Sequence, residues 1–193
     1  YAGFFGYTNG ATVKKLAVSG ITIFGSRSAG GIIGKAVGNI DIQDCSSNFS
    51  GDISSTSYAG GIVGYTETAT ITNSNNIGNV VIDNASSNIY CGGILGYSYS
   101  NATIFNCYHI GIITASANGY SYSSICYSYS GGIVGRSDGS YYITNCYNIG
   151  NVTASAHNSY GQTCHSYSGG IVGCLTGGAT ITNCYNTGNI NSS

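Results

Sequence analysis

The sequence predicts an all-β chain folded as a parallel β-solenoid of about six coils, with three short strands in each coil. Three observations carry that prediction. The composition favours strands, one glycine-rich block recurs along the chain at a near-regular interval, and a second block follows it at a constant distance.

The composition comes first. Among 193 residues there are 31 Gly, 18 Tyr and 8 Cys, but no Pro, Met or Trp. Charged residues make up 6% of the chain, against about a quarter in an ordinary soluble domain. A disordered linker would also be poor in apolar residues, whereas hydrophobic residues here reach 42%. They are mostly Ile and Val, with Leu only at Leu16, Leu95 and Leu175. β-Branched and aromatic side chains suit a pleated surface. A chain without Pro keeps every backbone N–H available to a neighbouring strand.

The recurring block reads AGGIIG at Ala29–Gly34, AGGIVG at Ala59–Gly64, CGGILG at Cys91–Gly96, and SGGIVG at Ser130–Gly135 and Ser168–Gly173. A degenerate sixth copy, AGFFG, stands at Ala2–Gly6. From Gly31 the second glycine of each pair advances by 30, 32, 39 and 38 residues. The second block reads ATITNSNNIGNV at Ala69–Val80 and ATITNCYNTGNI at Ala179–Ile190, with two more copies between them. Gly93 to Cys107, Gly132 to Cys146 and Gly170 to Cys184 are each 14 residues apart. Length varies only in the Tyr- and Cys-rich insertions before the last two glycine pairs. Constant blocks with one tolerant loop describe stacked coils. The chain therefore reads as one repeat domain, 1–193, in units of approximately 1–28, 29–58, 59–90, 91–129, 130–167 and 168–193.

Aligning the units sorts residues into columns. Ile62, Ile94, Ile133 and Ile171 form one aliphatic column, and Ile71, Ile104, Ile143 and Ile181 another. Both are assigned to the interior. Asn73, Asn106, Asn145 and Asn183 form a corner column whose amides can bond from coil to coil. Gly78, Gly111, Gly150 and Gly188 fall at a second turn, where Gly tolerates positive φ.

The pattern GGIVG followed by TITNCYNTGN resembles the GLUG repeat of bacterial surface and adhesin-like proteins, from Ala29 onward, and Ala11–Ile23 is similar to its opening version. The resemblance implies a right-handed β-helical stalk or binding region in a secreted or surface-anchored protein. It brings no catalytic residues. The insertions depart from the family pattern.

The residues themselves offer little chemistry. GGIVG lacks the strand–glycine–helix context of a phosphate loop and recurs five times. The acids Asp41, Asp44, Asp52, Glu67, Asp83 and Asp138 are scattered, which argues against a hydrolase or lyase carboxylate pair. Asp41, Asp44 and Asp52 are read as solvated or capping rather than as a calcium loop. No catalytic residue, metal site or cofactor is expected. A net charge of −1 argues against a nucleic-acid partner, and the chain has no apolar run long enough for a spanning helix.

Two features remain. Tyr58, Tyr90, Tyr129 and Tyr167 stand two residues before their glycine pairs, and Tyr108, Tyr147 and Tyr185 form a second column. Each is read as an intramolecular ladder, or as a strip for glycan rings or another subunit. Cys45, Cys107, Cys146 and Cys184 share a column with Leu16 and Ser74 and read as buried free thiols. Cys126 and Cys164, placed in the insertions, are the candidate disulfide, with free loop thiols as the alternative.

Eight cysteines point to an oxidising, extracellular or cell-surface location. Position 1 is Tyr, so the chain is taken as a processed product or a segment. No charged or helical cap is legible at either end, which suggests head-to-tail self-association into a fibre. The alternative is an adhesin segment flanked by neighbouring repeats, binding glycan or protein through its Tyr-rich faces. Enzyme activity is not expected.

Overall fold

The computed structural model describes residues 1–20, 22–85, 88–120 and 125–193. Residue 21, in the opening unit, residues 86–87, and residues 121–124, in the first long insertion, lie outside it. Every regular element is a strand, every strand pairing is parallel, and three sheets run up the molecule. Among the described residues no helix is long and apolar enough to cross a membrane.

The first sheet stacks Ser28–Gly30, Tyr58–Gly60, Ile89–Gly92, Cys126–Gly131 and Cys164–Gly169, with Ala2 bridged to Ala29 below them. The second begins with the long strands Phe5–Lys14 and Ile33–Gln43, and the third with Ala17–Gly20, Ile23–Gly25, Ser46–Ser55 and Asn75–Ala85. In later coils these faces divide. Val63–Thr66 and Thr68–Thr72 share the second sheet, and Tyr108–Ile110 and Ile113–Gly119 share the third. Six coils result, but a coil holds up to five strand segments rather than three. The break in the second sheet follows an inward hydroxyl. Thr66 Oγ1 donates to Thr68 O at 3.1 Å and Ser98 Oγ to Ser100 O at 3.2 Å. Such a local bond bends the strand.

Register follows the columns read from sequence. Ile71, Ile104, Ile143 and Ile181 are successive partners, as are the residues that follow the glycine pairs. Ile62, Ile94, Ile133, Ile71, Ile104 and Ile143 are fully buried. Each removes roughly 2–3 kcal/mol worth of apolar surface from water.

Two of the corners between sheets are built by recurring residues. Between the second and third sheets a single residue adopts left-handed geometry, with φ between 49° and 56° at Lys15, Asp44, Asn73, Asn106, Asn145 and Asn183. Asn tolerates this conformation better than other non-glycine residues. Its amide also donates to the Asn of the coil below: Asn106 Nδ2 to Asn73 Oδ1 at 3.2 Å, Asn145 Nδ2 to Asn106 Oδ1 at 3.1 Å, Asn183 Nδ2 to Asn145 Oδ1 at 3.2 Å. Asp44 ends the ladder by accepting from Asn73 Nδ2 at 3.0 Å. One residue later, the Cys and Ser column serves the same corner. The Cys107, Cys146 and Cys184 thiols each donate to the carbonyl two residues back at 3.3 Å, and Ser74 Oγ does so at 2.8 Å. Of the glycines expected to turn this face, Gly78 and Gly111 have φ of 142° and 152°, while Gly150 and Gly188 do not take positive φ. At Gly150 the reason for glycine is space, because a Cβ would collide with Gly111 O.

The glycine pair makes the other corner, and its cause is inside the coil. Ser47, Asn76, His109 and Asn148 form a fully buried polar column beneath it. A Cβ on Gly61 would overlap Asn76 Cβ and Gly93 O, and one on Gly93 would overlap Gly132 O and His109. Asn76 Nδ2 donates to Gly78 O at 3.0 Å, and Asn148 Nδ2 to Gly150 O at 2.7 Å and Asn186 Oδ1 at 2.7 Å. Asn76 Nδ2 also lies 2.9 Å from His109 Nδ1.

Two outcomes are expected from these packings. Gly61→Ala should lower unfolding free energy in urea by about 3 kcal/mol through overpacking. Gly178→Ala, where an added Cβ meets nothing within 4 Å, should change it by less than about 0.5 kcal/mol. Burial pushes the His109 imidazole down to about 4 from 6.5. The unfolded chain therefore takes up a proton between those values that the folded chain refuses. Stability held above pH 6.5 should drain away as pH falls toward 4, by about 3 kcal/mol in all. His109→Asn, matching the Asn above and below it, should flatten that part of a urea-midpoint-versus-pH profile. An unchanged slope would refute the assignment.

Candidate functional site

The sharp glycine corner brings the end of each first-sheet strand beside the start of the next second-sheet strand. Tyr58 and Tyr65 flank one such corner, and their rings meet edge-on at 5.3 Å. Because coils are in register, each flank becomes a column. Tyr58, Tyr90, Tyr129 and Tyr167 stack at 5.2, 5.2 and 5.1 Å with interplanar angles of 10°, 5° and 7°. Lys35, Tyr65, Tyr97, Arg136 and Cys174 form the facing column. The two columns enclose an aromatic seam.

In its upper half the seam is closed by charge. The Arg136 guanidinium lies 5.0 Å from the centre of the Tyr129 ring and donates to the Tyr129 hydroxyl at 3.0 Å. It also donates to Asp138 Oδ1 at 2.8 Å, while the Tyr97 hydroxyl donates to Asp138 Oδ2 at 2.6 Å and the Thr176 hydroxyl to Oδ1 at 2.9 Å. Burial opposes the Asp138 charge, yet the hydrogen bonds from Tyr97, Thr176 and Arg136 hold its carboxyl below the usual range. Burial pushes the Tyr129 phenol up to about 12, against the Arg136 charge, and burial followed by the Asp138 contact raises Tyr97 as well. Tyr129 is 4% exposed and Tyr97 8%. These two phenols stay protonated and act as neutral packing and hydrogen-bonding groups rather than as acids or bases.

The lower half is open. Tyr58, Tyr65 and Tyr97 cluster with centroids 5.3 to 5.6 Å apart. Together with Tyr1, Tyr99, Arg27 and Lys35 they line a cavity of about 180 Å³.

The second predicted tyrosine column is also a stack, with Tyr108–Tyr147 at 5.0 Å and Tyr147–Tyr185 at 5.1 Å. It runs on the third sheet, apart from the seam. Cys126 and Cys164 are joined by a disulfide with Cα atoms 4.7 Å apart. They are not in flexible loops, as their place in the insertions suggested. They are direct partners in paired strands, where the register itself sets the spacing. The other six cysteines are free, and Cys45, Cys91, Cys107 and Cys146 are buried. Burial pushes the Cys91 thiol up, out of the range of a nucleophile.

The acids do not converge. Asp41 faces Lys14 at 3.8 Å and accepts from Gln43, Asp44 ends the Asn ladder, and Asp52 accepts from Asn79 at 3.2 Å. Among the described residues no cluster of three or more His, Cys, Asp or Glu could hold a metal.

Sequence reasoning missed Lys35, Tyr65, Tyr97 and Arg136 as partners of the first tyrosine column. Their signal was present: each stands four residues after the second glycine of its pair. It was hidden because that position varies between cation and aromatic. The GLUG motif matches the chain twice, at residues 55–81 and 165–191. Each match spans one coil, from just before the seam tyrosine to the strand after the Asn corner. No curated protein and no solved structure matches the chain.

The structure separates the two tyrosine columns energetically. Tyr129→Ala removes a buried ring stacked on Tyr90, Tyr127 and Tyr167 and in contact with Arg136, and should cost about 3–5 kcal/mol in urea unfolding. Tyr147→Ala removes a surface stack and should cost about 1 kcal/mol. Equal losses would contradict that division.

Proposed function

The chain is a GLUG-repeat β-solenoid, and from that premise we propose that it is a non-enzymatic, extracellular structural module whose end coils stack on those of neighbouring copies to build a fibre or surface appendage. One observation carries the reading. The interior columns run on in register into the last described coil, with Ile181 stacked on Ile143 and Ile190 on Val152, and a further coil laid on it would continue them. The Asn183 amide and the Tyr167 and Tyr185 rings belong to ladders that a further coil would extend. A contact between unlike ends does not close on itself and propagates as a filament. The Cys126–Cys164 disulfide supports an oxidising compartment.

A second reading has its own observation. The open tyrosine cavity is a surface on which a sugar ring could stack, as in an adhesin segment that binds glycan through its Tyr-rich faces.

Electron microscopy of the purified chain tests the first reading. Filaments are expected with an axial repeat of about 30 Å, six coils at the strand spacing of about 4.8 Å. Ile181→Lys, at the half-exposed edge, should abolish them while leaving the monomer folded. A monodisperse monomer at high concentration would sink the proposal.

A further inference from the structure

We infer that the open half of the aromatic seam is a binding site for a carboxylate-bearing sugar, a hexuronate residue of an acidic polysaccharide. The inference goes beyond end-to-end stacking and rests on the second reading, the glycan-binding face, for which it names the place and the ligand chemistry.

The argument begins with charge. The chain has five cations, Lys14, Lys15, Arg27, Lys35 and Arg136. Lys14 faces Asp41 at 3.8 Å and Arg136 is bound to Asp138 at 2.8 Å. Arg27 and Lys35 make no ion pair among the described residues, and both line the same cavity. In a chain with 6% charged residues, two such cations at one concavity mark it as the place where an anion is favoured. The acids nearby are engaged: Glu67 accepts from Gly38 N at 3.0 Å, and Asp138, which accepts from the lining Tyr97 at 2.6 Å, is paired with Arg136 at 2.8 Å.

The cavity has apolar walls to match. Lys35 Nζ lies 5.1 Å from the centre of the Tyr1 ring and 5.2 Å from that of Tyr65, so the ammonium sits between two aromatic faces. Tyr97, 8% exposed, forms the base with Tyr58. About 180 Å³ is below the range of roughly 300–1,000 Å³ that houses a drug-sized ligand. It suits one ring of a chain that continues outward past the exposed Tyr99. Aromatic faces receive the C–H face of a pyranose ring, phenol hydroxyls meet its hydroxyls, and Lys35 and Arg27 take the carboxylate through charge-assisted hydrogen bonds. A neutral sugar would leave the two cations without a counter-ion, and a simple inorganic anion would leave the aromatic walls unused. The hexuronate uses both.

The experiment titrates the folded chain with tetragalacturonate and with its neutral methyl ester, read by calorimetry and by NMR shifts of the tyrosine rings. The acid should bind roughly tenfold more tightly than the ester, a gap set by charge-assisted bonding that narrows as salt rises. Lys35→Gln should bring the acid down to the affinity of the ester while leaving the ester unchanged. Tyr65→Ala should weaken both. Equal binding of acid and ester, or acid binding that survives both substitutions, would overturn the hexuronate site while leaving glycan binding elsewhere on the solenoid intact. Binding of neither would overturn the site and the glycan reading together. Should Tyr65→Ala fail to fold, the Lys35→Gln result still decides the matter.

Discussion

Successive coils must lie one strand spacing apart at every point of their circuit, and the glycine-pair corner is where that requirement is hardest to meet. There the backbone of one coil passes over the carbonyl of the next on one side and over an inward Asn or His on the other. No side chain fits between them. The hydrogen bonds that join coils at this corner, such as Ile62 N to Ile94 O at 2.9 Å and Ile94 N to Ile133 O at 3.0 Å, depend on that clearance. Register is set here, and every column on every face inherits it.

The aromatic seam is a consequence of the same corner. A broad turn would hold Tyr58 and Tyr65 apart on separate faces; the glycine turn folds them against each other. Stacking in register then repeats the contact along the axis at about the strand spacing, which is also a comfortable distance for offset rings. The upper part of the seam is consolidated by Arg136 and Asp138, which fill the space with a satisfied ion pair. The lower part keeps cations without their acids. One structural device thus yields a rigid stretch and an open one, and only the open stretch has chemistry left to offer a ligand.

The buried polar column stands in tension with the apolar core. Asn76 Oδ1, His109 Nε2 and Asn148 Oδ1 are buried with no hydrogen-bond partner in the structure, a cost that a fully aliphatic interior would avoid. The compensation is local. The amides of Asn76 and Asn148 tie down the carbonyls of Gly78 and Gly150, where the third sheet bends. The column braces the bend on one side and dictates glycine on the other, which explains why two separate blocks of the repeat vary so little along the chain.

Much of this was legible in one dimension. A repeat copies its own register, so aligning the glycine pairs was enough to stack Ile71 on Ile104 and Tyr90 on Tyr129, and to place the Asn corner. The all-β class, the parallel stacking and the interior columns follow from period and composition, because β-branched residues, glycine and the lack of proline leave the chain few other ways to satisfy its backbone. What a linear reading could not supply is the relation between columns. Which faces meet across a corner depends on how sharply the chain turns, and that sharpness is set by packing between Gly61 and Asn76, fifteen residues apart. The seam's second wall and the cavity at its open end belong to that second class. Sequence period determined what stacks along the axis; tertiary packing decided what faces what around it.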